Sequence, residues 1–282
     1  MFNLAHIINV TEITESNKNA YLHIAQPVTM KSMIIAKNMA KELIDVELWA
    51  VRHKHESVSI PNEFRWSREI DKYAYEYIEP LGNLTPHKPL PRLVDIILSL
   101  YESSDADYFI YTNLDIGLYP DFYIKVKELI LDGYDAFCIN RRNLKKEYAG
   151  AIIDENKLEL AFVLEGKKHP GIDCFVFSRE IVPSLKLGNV YIGFPPVGQV
   201  LKTQIESNSK NFLWVKEQKL TFHLGGDKYW RKTKGGYASE NFKQAEGLYV
   251  PSLGTSQKLA LTVRIKNKLK SWLRSSIEIL ER

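Results

Sequence analysis

Apolar residues along this chain switch between short continuous runs and a recurrence every three to four positions, and the switches predict its elements. Residues 6–10 (HIINV) form a short strand-like run, and residues 21–28 alternate as a second strand-like segment that stops at Pro27. Thr29 then reads as a helix N-cap, because Met30, Met33, Ile34, Met39 and Leu43 recur at helical spacing over 29–43. Residues 46–51 (VELWAV) are apolar enough for a buried parallel strand. The stretch 52–90 breaks the rhythm: it is polar and aromatic, with prolines at 61, 80, 86 and 89, the character of a long irregular region that carries binding loops. Helical spacing returns over 90–103, where Pro91 suits a first turn. Residues 107–112 (DYFIYT) then read as a central strand that ends abruptly in Asn113-Leu114-Asp115. A helix over 120–132 and strands over 134–140 and 174–177 follow. Strand and helix alternating in this way predict an α/β sandwich built on a mostly parallel sheet.

Composition narrows the class. The 282 residues are 45% hydrophobic and 26% charged, with no repeat or low-complexity tract, which excludes disordered and collagen-like chains. The net charge of +4 invites a nucleic-acid partner until it is mapped. Residues 256–282 hold seven basic and two acidic side chains, so this tail is +5 and the body before it is −1. A nucleic-acid-binding body is expected to carry a basic stripe of its own, and this body is close to neutral; nucleic acid is not an expected partner. In the tail, Leu261, Ile265, Leu269, Trp272, Leu273 and Leu280 share one side of a helical wheel, while Arg264, Lys270 and Arg274 lie on the other. Such a basic amphipathic C-terminal helix suits an anionic membrane surface, or equally docks on the domain or a partner. The expected division is therefore a catalytic-type domain over 1–255 and the helix over 256–282. No leader and no apolar run of membrane-spanning length is present, so a cytoplasmic protein, soluble or peripheral at the membrane, is expected. Cys138 and Cys174 both sit in apolar runs and read as buried thiols, too few for a zinc framework.

The abrupt end of the 107–112 strand carries the candidate chemistry. In open α/β sheets ligands bind beyond the carboxyl ends of the strands, and residues two apart in extended geometry, such as Asn113 and Asp115, point the same way. A hard cation such as Mg²⁺ or Mn²⁺ needs oxygen ligands, takes few from protein, and completes its shell with water and phosphate. Asn and Asp are also ordinary turn residues after a strand, so the pair alone does not decide the matter.

Residues 106–123 (ADYFIYTNLDIGLYPDFY) resemble the segment of GT-A-fold glycosyltransferases in which an apolar strand runs into a short acidic DxD motif ahead of a helix. Here Asn113 occupies the first acidic position. Residues 169–179 (HPGIDCFVFSR) and 220–224 (LTFHL) resemble later pieces of that family in the expected order, so the likeness covers about residues 1–225. It implies a GT-A-like, Rossmann-like fold with a mostly parallel central sheet flanked by helices. It also implies a nucleotide-diphosphate-sugar donor, a glycan or lipid-linked acceptor, and Mn²⁺ or Mg²⁺ held by Asp115, Asn113 and His223. His223 reads equally well as a packed residue. Gly171 would let backbone approach the donor sugar, and Asp173 would contact the sugar or act as general base; a loop Asp paired with Arg179 is the alternative. Gln26 and Thr29 are candidates for base or ribose contacts. Lys228 and Arg231, in the Gly-rich stretch 225–237, would close over the diphosphate as a lid or form a solvated loop. Many inverting members place an acidic pair where this chain has 193–199 (GFPPVGQ), with no carboxylate, so the catalytic base and the stereochemistry stay open. Two rival readings are a catalytically silent nucleotide- or sugar-binding module and a nucleotidyltransferase; the latter is disfavoured by the lack of a Gly-rich phosphate loop near the first strand.

Overall fold

The computed structural model describes residues 2–14, 22–84, 87–144, 155–223 and 236–249. Its centre is β1 (Leu4–Asn9), flanked in parallel by β2 (Val46–Val51) and β4 (Tyr108–Thr112), with β3 (Phe64–Trp66) parallel outside β2. Beyond β4 lies β7 (Lys167–Ser178), antiparallel both to β4 and to β6 (Ala136–Asn143). Strand β6 pairs in parallel with β8 (Phe212–Val215) and β9 (Thr221–His223), and β5 (Ile116–Leu118) runs antiparallel to β9. The order is β3-β2-β1-β4-β7-β6-β9-β5, with β8 beside β6. This is the expected α/β, GT-A-like architecture, with a mostly parallel central sheet.

The alternation of β1 builds both layers. Leu4, Ile8 and Val10 pack on one face with Met30, Met33 and Ala36 of α1 (Leu22–Ala40) and with Phe122, Tyr123 and Val126 of α5 (Phe122–Leu131). Ala5 and Ile7 face the opposite layer, made by α4 (Leu93–Ser103) and α7 (Val197–Asn208) through Leu93, Ile96, Val200 and Leu201. Each such side chain removed from water is worth roughly 1.5–3 kcal/mol, which is why register is so strongly specified in a strand buried on both sides. A buried polar residue lies within the core: His6 sits between the Tyr123 hydroxyl (2.9 Å) and Thr112 Oγ1 (2.9 Å), and burial lowers its pKa to about 3. A separate, smaller cluster ties Ala74 of α2 (Ala74–Tyr77) and Leu81 of α3 (Glu79–Gly82) to Tyr191, to Phe194 and to Tyr237 of α8 (Tyr237–Gln244). The remaining helix, α6 (Leu158–Val163), precedes β7.

Topology locates the crevice. From β1 the chain passes through α1 to β2 on one side, then returns through α4 to β4 on the other. Strand order therefore reverses at β1, and the carboxyl ends of β1, β2 and β4 open together at the switch point.

Several expected boundaries shift, each for a visible reason. Residues 22–28 are helix, not strand. Helix α1 starts at Leu22 and runs through Pro27, and its buried stripe (Ala25, Thr29, Met33, Ala36, Ala40) has the helical period. The core contacts of that stripe offset the one backbone hydrogen bond Pro27 removes. Thr29 is thus mid-helix rather than an N-cap, and Met39 and Leu43 fall off the buried face and are exposed. Helix α4 begins at Leu93, three residues late, because Pro91 and the extended Arg92 precede it. The 174–177 strand extends back to Lys167: the polar residues 167–173 pair with the outgoing part of β6, so hydrogen bonding to a neighbour, rather than apolar content, makes them strand. Short strands β5 and β9 form for the same reason; Gly117 lies under the Phe222 ring, where a Cβ would come within 2.3 Å. Cys138 and Cys174 are buried free thiols, as expected. The 256–282 helix, and the boundary at 255, lie outside the described residues. Among the described residues no helix is long and apolar enough to cross a membrane.

Candidate active site

Antiparallel pairing of β7 on β4 sets Thr112 opposite Cys174, which places Asn113 beside Asp173. Asn113 donates its backbone N–H to the Asp173 carbonyl (3.3 Å) and its Nδ2 to Asp173 Oδ1 (2.8 Å). The Tyr111 hydroxyl donates to Asn113 Oδ1 (3.0 Å), which fixes the amide orientation. Asp173 Oδ2 accepts from Arg141 Nη1 at 2.6 Å, and Arg141 Nε reaches Asn143 Oδ1 at 3.2 Å. Asp173 does not pair with Arg179, which lies at the far end of β7 and binds Asp105 and the carbonyls of Tyr101 and Ser104. Both carboxylate oxygens of Asp173 are engaged, Oδ1 by the Asn113 amide and Oδ2 by the Arg141 guanidinium.

Asp115 turns the other way. Pairing of β5 with β9 sets Ile116 opposite His223, and Asp115 Oδ2 lies 2.9 Å from His223 Nε2. The Asp115 side chain is 25% exposed and that of His223 only 7%. Burial pushes the Asp115 carboxyl up, but the His223 imidazole hydrogen-bonded to it, helped by Arg141, holds it below the ordinary carboxylate value. With Asp115 ionised, Nε2 carries the proton in this contact. A hard cation would take the place of that proton between the carboxylate and the imidazole, so the pair could hold one once Nε2 is deprotonated. Asn113 fits less well, since both amide atoms serve Tyr111 and Asp173. Among the described residues no three His, Cys, Asp or Glu side chains converge on one point.

Beyond β1 and β2 lies a cavity of about 340 Å³, lined among others by Thr11, His55, Glu56, Tyr73, Tyr75 and His87. Rings stack along it: His53 on Tyr73 (3.7 Å between centroids), Tyr73 on Tyr75 (5.6 Å) and Tyr75 on His87 (4.5 Å). Glu56 closes its floor by accepting from the Thr11 hydroxyl (2.6 Å) and the His53 backbone N–H (3.2 Å), joining the exits of the two strands. Burial lowers the His53 pKa, against the raising effects of the Asp71 carbonyl and Glu56.

Of the candidate residues, Asn113, Asp115, Asp173 and His223 gather at the carboxyl end of β4. Gly171 lies on β7 between His169 and Asp173; a Cβ there would stand 2.7 Å from His169 Nδ1, so the glycine makes room for side chains of its own strand. Gln26 is buried and supports the cavity from below, its Oε1 accepting from the Thr11 N–H (2.9 Å). Thr29 is fully buried inside the core and does not reach the crevice. Lys228 and Arg231 lie outside the described residues. Sequence reasoning missed Arg141 and Glu56, which no motif marks. The 64–77 aromatics divide: Tyr73 and Tyr75 line the cavity, whereas Phe64 is core and Tyr77 stacks under Arg92 at 3.4 Å.

No protein-family model and no curated protein matches this sequence. Among solved structures, the chain is similar to residues 1–349 of S. aureus TarS in complex with UDP-GlcNAc (TM-score 0.44, 10% identity), covering 87% of this chain and 65% of that one. It is similar to glucosyl-3-phosphoglycerate synthase of Mycobacterium tuberculosis with Mn²⁺, UDP and phosphoglyceric acid (TM-score 0.47, 12% identity, 90% of this chain and 81% of that one). It is also similar to a putative glucose-1-phosphate thymidylyltransferase from Bacillus anthracis (TM-score 0.45, 10% identity, 84% and 95%). The chain thus spans less than two thirds of the TarS structure.

Proposed function

We propose that this chain is a glycosyltransferase that moves a sugar from a nucleotide-diphosphate donor to a glycan or lipid-linked acceptor with the help of Mn²⁺ or Mg²⁺. One observation carries the reading. A ring-lined cavity of about 340 Å³ and the Asp115–His223 pair open on the same carboxyl edge, on either side of the switch strand β1. That volume is within the range of small-ligand pockets, and stacked rings with a nearby carboxylate suit a base and a ribose hydroxyl.

In this reading the Tyr73–Tyr75–His87 stack walls the pocket for the base, and Glu56, held by Thr11, orients toward the ribose. Gln26 keeps that floor in place. Asp115 and His223 hold the cation, which when bound offsets the charge that develops on the departing diphosphate. Lys228 and Arg231 add positive charge from the 224–235 stretch, and the +5 tail attaches the domain to an anionic membrane surface. Asp173 contributes through contacts rather than by taking a proton.

A second reading, a module that binds nucleotide without turnover, draws on two observations: residues 193–199 carry no carboxylate, and both Asp173 oxygens are occupied. A panel of nucleotide sugars with and without Mn²⁺ separates the two. A ligand that binds only the native state raises the melting temperature. Glycosyl transfer predicts a donor that both stabilises the chain and releases its nucleoside diphosphate. Stabilisation without release supports the silent module, and no stabilisation by any donor removes both.

A further inference from the structure

We propose that Arg141 is the anion-binding group of the crevice, the side chain that meets a phosphate oxygen of the donor, and that Asp173 and Asn113 serve to aim it. The inference rests on the donor reading above and adds to it a residue that no motif marks.

The placement of Arg141 is built. The pairing of β6 with β7 shifts register between Ile139 and Asn140 and again between Asn140 and Arg142, so Arg141 emerges in the irregular stretch. Such bulges re-aim side chains beside ligand sites. The result puts its guanidinium on Asp173, with the two side chains 14% and 15% exposed, and within electrostatic reach of Asp115. The hydrogen bonds converge on Asp173. Tyr111 donates to Asn113, Asn113 donates to Asp173 Oδ1, and Arg141 donates to Asp173 Oδ2. A carboxylate gripped from both sides is a brace.

The same chain explains the residue type at position 113. An Asp there would set a second carboxylate at hydrogen-bond distance from Asp173 with no proton between them, which like charges do not tolerate. Asn113 is needed as a donor. Stability alone does not account for the pair, because a mostly buried ion pair roughly breaks even against its desolvation. A guanidinium at the carboxyl edge of the sheet, held in one orientation, is suited to a phosphate oxygen by charge-assisted hydrogen bonding.

The test measures binding of UDP and of inorganic pyrophosphate to the full chain by calorimetry, with EDTA and with Mn²⁺. Arg141→Ala is expected to weaken both ligands at least about tenfold in EDTA, the scale of one hydrogen bond to a charged group. Arg141→Lys, which keeps the charge and guards against misfolding, recovers part of the loss. Asp173→Ala weakens binding to a similar degree, Asp173→Asn recovers most of it because its amide oxygen still accepts from Arg141, and the Arg141→Ala/Asp173→Ala double variant is no worse than either single one. Binding within twofold of the wild type in both Arg141 variants, or additive losses in the double variant, overturns the inference while leaving the donor reading intact. Pyrophosphate bound through Arg141 with no affinity for any nucleotide supports the inference and removes the donor reading. Failure of the wild type to bind either ligand overturns both.

Discussion

His6 offers a quantitative check on the core beneath the crevice. Its ordinary pKa is about 6.5; in the fold, burial lowers it to about 3. The sign follows from proton counting. Above the ordinary value neither state binds the proton and His6 contributes no pH dependence. Below it the unfolded chain takes up a proton that the native one refuses, so stability falls with falling pH until the folded value is reached. Each pH unit in that window costs about 1.4 kcal/mol, so at pH 5 the loss is about 2 kcal/mol. Urea denaturation of the wild type and of His6→Gln at pH 7.5 and pH 5 isolates the effect, because other titrating groups are common to both chains. At pH 7.5 the variant is the less stable of the two, since the hydrogen bonds to Tyr123 and Thr112 are disturbed. At pH 5 the gap should shrink by about 2 kcal/mol. A gap that stays constant refutes the claim that His6 is buried and neutral. Thr112 is the last residue of β4, directly before Asn113, so the His6 contact lies at the base of the site.

Other expectations follow from single contacts. Gly117→Ala forces a methyl into the Phe222 ring and should cost about 1–3 kcal/mol of stability by thermal melting. Because Phe222 precedes His223, that variant should also lose Mn²⁺-dependent nucleotide binding; an unchanged melt contradicts the β5–β9 register. Asn241→Ala strips the Tyr191 N–H and the Tyr191 and Phe194 carbonyls of a buried partner and should cost on the order of 3 kcal/mol in urea titrations. A chain ending at Thr255 should sediment with anionic vesicles less than the full chain does, in a salt-sensitive manner; equal, salt-insensitive binding by both removes the membrane role of the tail.

What could be read from the chain divides along the range of the interactions involved. The strands β1, β2 and β4 were legible because burial on both faces demands continuous apolar runs, and the abrupt polar end of β4 marked the crevice. The start of α1 was not legible, because Pro27 argues locally against a helix that its buried stripe supports from afar. Residues 167–173 look like a loop until β6 supplies partners. Asp115 was visible at a strand end, but its contact with His223 spans 108 residues and depended on resemblance rather than on spacing. Asp173 was found but its partners were not, since the sequence does not reveal that Asn113 and Arg141 engage its two oxygens. Arg141 itself left no signal, because a register shift between two strands decides where it points.

The central claim, donor chemistry at the carboxyl end of β4, is tested most directly by nucleoside-diphosphate release from whichever nucleotide sugar stabilises the chain, for wild type and Asp115→Ala in the presence of Mn²⁺. Removing the carboxylate that faces His223 takes away one of the two proposed cation ligands, so turnover should fall at least about a hundredfold. The variant should still fold, because Asp115 is a quarter exposed in a turn. Undiminished release by a folded Asp115→Ala chain would contradict the account.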